Sequence, residues 1–144
     1  MRSLLDANVL IALIDSDHAF HKRAISWFHA NQQVGWATTP LTENACLRVL
    51  SHPNYSRTKQ YSLRQLVPKL GEIMAKTNHE FWPDNISLID RSRFALENVL
   101  GPRQLTDVYL LALAVHNKGC LVSFDGRIPT SAVQNAAANN MCVI

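Results

Sequence analysis

Short, mostly apolar runs alternate with segments of helical periodicity along this chain, and that alternation restricts its fold more than any other feature. "RSLL" (2–5), "VGWATT" (34–39), "HEFWP" (79–83), "CLVSF" (120–124) and "MCVI" (141–144) read as strands. Between them the spacing predicts helices over 7–14, 18–31, 41–50, 62–77, 91–100, 106–119 and 130–138. Strands written as apolar runs, without in–out alternation, are covered on both faces. The expected architecture is therefore an α/β sandwich: a central parallel sheet of about five strands flanked by helices. Local signals refine it. Pro40 stops the second strand, Gly119 closes the 106–119 helix, and Pro68 with Gly71 predicts a kink or two short helices within 62–77.

At 144 residues, 47% hydrophobic and 17% charged, the chain suits one folded domain (1–144) with a substantial core. Its longest apolar stretch, "VYLLALAV" (108–115), falls well short of the roughly 18 residues a membrane span requires. Asp6 and Asn8 would break the apolar region of a signal peptide. Cys46, Cys120 and Cys142 are widely spaced, odd in number and without a CxxC pair, so reduced thiols and a cytoplasmic setting are expected. The five glycines form neither GxGxxG nor a phosphate-binding loop, and GxSxG is absent. Nucleotide-binding and serine-hydrolase enzymes are thereby set aside.

Four acids stand where apolar residues would be expected. Asp6 follows Leu4 and Leu5 at the carboxyl end of the first strand, and Asp125 follows "CLVSF" at the end of another. Glu43 shares a helix face with Cys46, Leu47 and Leu50, and Asp107 shares one with Leu110, Leu111 and Ala114. Each has a plain structural reading. Asp6 could cap the next helix, Glu43 and Asp107 could be first-turn acids favoured by the helix dipole, and Asp125-Gly126 is a common turn pair. Together they predict a cluster at the carboxyl edge of the sheet, where open α/β sheets place their sites. Converging carboxylates raise one another's pKa unless a cation neutralises them. An oxygen-only donor set suits Mg²⁺ or Mn²⁺, with some acids acting through water. The matching chemistry is phosphodiester hydrolysis by a metal-activated water.

"LLDANVLIAL", "LTENACLRVLS", "SHPNYS", "FWPD" and "QLTDVYLLALAVHNKGCLVSFD", in this order and spacing, resemble the PIN-domain ribonucleases, and within them the VapC-type toxins of bacterial toxin–antitoxin systems. The resemblance implies a PIN-like three-layer sandwich and an endoribonuclease that cleaves structured RNA, a tRNA or rRNA loop, to inhibit translation. It also implies a small cognate antitoxin, a homodimer and larger toxin–antitoxin hetero-oligomers. The family's acids match Asp6, Glu43, Asp107 and Asp125. Asp6 and Asp107 are then the direct metal ligands, with Glu43 and Asp125 acting through water. Asn8 either orients Asp6 or simply starts the helix.

Outside those four acids, seven carboxylates face fourteen Lys and Arg. Segment 48–76 carries Arg48, Arg57, Lys59, Arg64, Lys69 and Lys76 with Tyr55 and Tyr61 interleaved; it is either a solvated helix face with ordinary surface tyrosines or a surface that contacts RNA, the antitoxin or a second protomer. None of the six histidines has a metal-ligand spacing, and none is assigned to catalysis. Two other readings remain open at this stage. A haloacid-dehalogenase-like phosphatase also begins with a strand and an Asp, but its mechanism wants a second acid where Asn8 stands. A non-catalytic RNA- or metal-binding module would use the same acids only to hold an ion.

Overall fold

The computed structural model describes residues 1–144. Five strands form one all-parallel sheet: β1 (Ser3–Leu5), β2 (Trp36–Thr38), β3 (His79–Phe81), β4 (Cys120–Ser123) and β5 (Met141–Val143), in the order β3-β2-β1-β4-β5. The helices are α1 (Ala7–Ile14), α2 (His21–Asn31), α3 (Pro40–Leu50), α4 (Leu63–Lys76) and α5 (Leu105–His116). Strand side chains alternate between two cores. Leu4, Ala37 and Leu121 pack under α5, while Leu5, Trp36, Cys120 and Val122 pack against α1, α2, α3 and α4. The expected three-layer sandwich follows, with the sheet buried on both faces. No helix is long and apolar enough to cross a membrane.

Segment 62–77 forms one helix, without the division expected at Pro68 and Gly71. Its buried stripe is Leu66 and Leu70, whereas Pro68 and Gly71 both face solvent, where water can satisfy the carbonyl freed by the proline. Its start is secured by a capping box in which Ser62 Oγ accepts from Gln65 N–H at 3.3 Å and Gln65 Oε1 accepts from Ser62 N–H at 3.1 Å.

Two expected helices do not form. In 91–100 only a short 3₁₀ turn appears (Leu96–Asn98), because Phe94 pairs with Val133 in an antiparallel bridge. That pairing also draws 130–138 out of helical geometry, leaving 3₁₀ turns at Thr130–Ala132 and Ala138–Asn140 around the left-handed Asn135 (φ 64°). Gly119 does not supply the left-handed residue after α5, because Lys118 does (φ 57°). What Gly119 supplies is closeness, since a Cβ there would lie 2.6 Å from the Arg2 carbonyl and 2.7 Å from the Trp82 ring.

Candidate active site

The carboxyl ends of β1, β2 and β4 lie side by side, so the residues just past them share one edge. Asp6 directly follows β1 and is only 7% exposed. It sits at the N-cap of α1 without a side-chain hydrogen bond of full capping geometry; its firm partner is Ser123, whose hydroxyl donates to Oδ2 at 2.9 Å. Burial raises the Asp6 pKa, and the pull of Ser123 and the nearby amides of Ala7 and Asn8 does not cancel it. The Asn8 side chain is exposed and makes no hydrogen bond to Asp6, so the side chain that orients Asp6 is Ser123, and Asn8 stands as a helix-start residue.

Asp107 projects from the first turn of α5 and is half-buried. No hydrogen-bond donor compensates it, and its pKa is pushed up to about 6, first by burial and then by the charges of Asp6 and Asp125. Those three acids therefore share one electrostatic neighbourhood. Asp125, two residues beyond Ser123, makes the turn that Asp-Gly suggested: its Oδ1 accepts from Arg127 N–H at 2.9 Å. The Arg127 side chain grips the same carboxylate, and this pairing holds the Asp125 pKa below its usual value.

Glu43 is held apart from the trio. Thr38, the buried last residue of β2, donates to Glu43 Oε1 at 2.6 Å, and His79 Nε2 lies 2.8 Å from the same hydroxyl. Thr38 has one proton to give and gives it to Glu43, so it accepts from His79 Nε2–H. Burial, reinforced by Arg2, lowers the His79 pKa and favours that neutral ring.

Nowhere do three or more His, Cys, Asp or Glu side chains gather tightly enough to cage a metal ion. The donor chemistry nonetheless fits Mg²⁺, which takes one or two carboxylates and keeps several waters. Asp6 and Asp107 are two crowded, oxygen-only donors whose raised pKa values mark charge that a cation would relieve.

A model of the PIN domain matches residues 3–133. The chain belongs to the PIN-domain family. The ribonuclease VapC44 of Mycobacterium tuberculosis is 38% identical over 144 residues, spanning the whole of both chains. The ribonuclease VapC39 of the same organism is 38% identical over 135 residues, 92% of this chain and 94% of that one. Among solved structures, VapBC2 from Rickettsia felis bound to a DNA fragment from their promoter matches this PIN fold with a TM-score of 0.53 at 15% identity. That alignment covers 88% of this chain and 90% of the other.

Ser123, Thr38 and Arg127 are site residues that the acid pattern alone did not name. Ser123 carried a signal, being a hydroxyl inside an otherwise apolar strand. Segment 48–76 divides. Tyr55 and Tyr61 donate to the buried carboxylate of Asp15, at 2.6 and 3.2 Å, while Lys59 pairs with Asp17 and Lys76 with Glu72. Through their hydroxyls those two tyrosines fasten the segment to the end of α1.

Proposed function

We propose that this PIN-domain protein is the toxin of a VapBC-type toxin–antitoxin pair, an endoribonuclease that needs Mg²⁺, with Mn²⁺ as a substitute, and cuts structured RNA at a tRNA or rRNA loop. The observation that carries the reading is the pair of acids Asp6 and Asp107 at the carboxyl edge of the sheet, both raised in pKa by burial and the second without any hydrogen-bond donor, in a chain similar over its full length to a ribonuclease. Asp6 and Asp107 would hold the metal directly, and Glu43 and Asp125 through water. When bound, the ion would supply an activated water and offset charge on the phosphate. The chain's own groups do the rest. Ser123 fixes the rotamer of Asp6. Thr38 occupies Glu43 Oε1 and leaves Oε2 free to accept a proton from the attacking water.

A protein partner belongs to the same reading: the Rickettsia neighbour is a VapBC complex, and a small antitoxin that covers the acidic edge would silence this chain. A homodimer and a cytoplasmic setting complete it. Cleavage by purified, antitoxin-free protein should appear with Mg²⁺ or Mn²⁺ and stop with chelator, with RNA ends mapped after induced expression. Full cutting by Asp6→Ala and Asp107→Ala would overturn the reading. A haloacid-dehalogenase-type Asp6 would instead yield a trappable phosphoenzyme, and Asn8, exposed and unengaged, offers no proton donor for that chemistry.

A further inference from the structure

Beside the acids lies a second cluster to which the cleavage chemistry assigns no role. Phe124 lies between Ser123, which holds Asp6, and Asp125, so its backbone borders the acidic edge while its ring packs on the α1–α4 side of the sheet. Its ring packs against Phe20, at the start of α2, with centroids 4.8 Å apart, and His18 stacks on it at 6.4 Å and 19°. The Arg23 guanidinium lies 5.0 Å from the Phe20 centroid and 5.8 Å from that of Phe124.

Two features make this more than a corner of the core. Phe20 is 39% exposed although it packs against Phe124, so part of its ring is open to solvent. Arg23 is not paired with any carboxylate, unlike Arg2, Arg93 and Arg127, so its charge rests against ring faces and stays open to an anion. Lys22 adds a further exposed cation. Rings and a planar guanidinium are what unpaired bases stack upon, and the adjoining cations suit the backbone phosphates. An acidic peptide would meet the cations but gain little from the ring faces. The charge and the planarity together favour single-stranded nucleic acid.

We infer that Phe20, Phe124 and Arg23 form a stacking platform that seats an unpaired base of the RNA beside the scissile bond. This rests on the ribonuclease reading for its consequence in catalysis, but binding can be measured without it. The platform would favour a loop over a duplex, because only an unpaired nucleotide can leave its stack at no cost in pairing.

The test uses the full chain in an Asp6→Asn background, which keeps RNA intact, and a short single-stranded oligoadenylate carrying 2-aminopurine, with an abasic version as control. Binding should quench the 2-aminopurine fluorescence. Phe20→Ala should weaken binding about ten-fold, Phe20→Trp should restore it, and Arg23→Lys should recover charge but not stacking. The abasic probe should bind the unmutated platform weakly and lose nothing further in Phe20→Ala. With Asp6 intact, Phe20→Ala should raise KM for RNA and leave kcat near its original value. Equal binding of both probes to Phe20→Ala and parent overturns the platform, even where RNA is cut normally. Loss of antitoxin binding with unchanged RNA binding overturns it too, in favour of a protein-docking face. Absence of any RNA cutting, with the fluorescence differences intact, leaves the platform standing and removes the nuclease reading. An unchanged melting temperature of Phe20→Ala separates these effects from unfolding.

Discussion

The guanidinium of Arg127 holds the carboxylate of Asp125 with two hydrogen bonds, Nε to Oδ1 at 2.9 Å and Nη2 to Oδ2 at 3.0 Å. Both oxygens of one of the four acids are thus engaged by the chain itself, and the local negative charge is reduced before any cation arrives. Because the pair is exposed, salt weakens it readily. Arg127→Ala should therefore lower the Mg²⁺ concentration needed for half-maximal cleavage by a few-fold. The difference between the two proteins should shrink at higher salt, which already loosens the Arg127 pair in the parent. Metal titrations of both proteins at two ionic strengths check this, and coincident curves would exclude Asp125 from the metal's surroundings.

Asp107 carries a cost in the metal-free protein. Its folded pKa, about 6, lies above the usual carboxylate value of 3.8, so the native state holds its proton longer than the unfolded chain does. Stability from this group is full below about pH 4 and declines as pH rises to 6 and beyond. The neutral Asp107→Asn should accordingly be more stable than the parent at pH 7.5 by about 1 kcal/mol, a value reduced from the full shift because solvent screens a half-exposed carboxylate. The gain should vanish near pH 4, and Mg²⁺ should stabilise the parent but not the variant, while cutting is lost. Urea unfolding with chelator across this pH range, and again with Mg²⁺, measures each part.

The strands and the acids were legible because their signals are local. An apolar run of strand length is buried wherever it lies, and an acid at its end is conspicuous in one dimension. All five strands formed where expected, within a residue or two at their ends. The failures have tertiary causes: segments 91–100 and 130–138 each have helical composition, yet the Phe94–Val133 bridge joins residues 39 apart and overrides it. The same holds within the site. Ser123 is 117 residues from Asp6, a separation that only the sheet closes, and Thr38 reaches Glu43 only once β2 has turned into α3. Tyr55 and Tyr61 show a related effect: among lysines a tyrosine suggests a nucleic-acid contact, and the carboxylate that its hydroxyl serves appears only in the fold.

That carboxylate, Asp15, is buried at the end of α1 and accepts from Tyr55, Tyr61, Lys59 and the amide of Asp17. Burial alone would raise its pKa, but the donors outweigh it and the net shift is downward. Stability from Asp15 is thus present above its unfolded value, near 3.8, and is lost as pH falls through the lower folded one. Tyr55→Phe removes the shortest of these bonds and should cost about 1–2 kcal/mol in urea unfolding. RNA cleavage per folded molecule should not change. A drop in RNA affinity at unchanged stability would restore the tyrosines to the substrate.

The last prediction concerns Glu43, whose place in the site depends on one hydroxyl. Thr38 Oγ1 donates to Oε1 at 2.6 Å, and His79 Nε2 feeds that hydroxyl at 2.8 Å, so the proton order along the three groups is fixed by the single hydrogen Thr38 owns. Thr38→Val keeps the shape of this buried residue but leaves Glu43 free to rotate and His79 without its acceptor. If Glu43 takes the proton of the attacking water, misplacing it should lower kcat by about 10²-fold or somewhat less, the range of a single general base, with little change in KM. Thr38→Ser retains the hydroxyl and should recover most of the rate. A structural role alone would give a different result: both variants would lose activity in proportion to their loss of folded protein, and kcat per folded molecule would stay level. Steady-state cleavage of one RNA by the parent, Thr38→Val, Thr38→Ser and Glu43→Gln decides between them, because only an oriented base makes the Val and Gln variants fail alike.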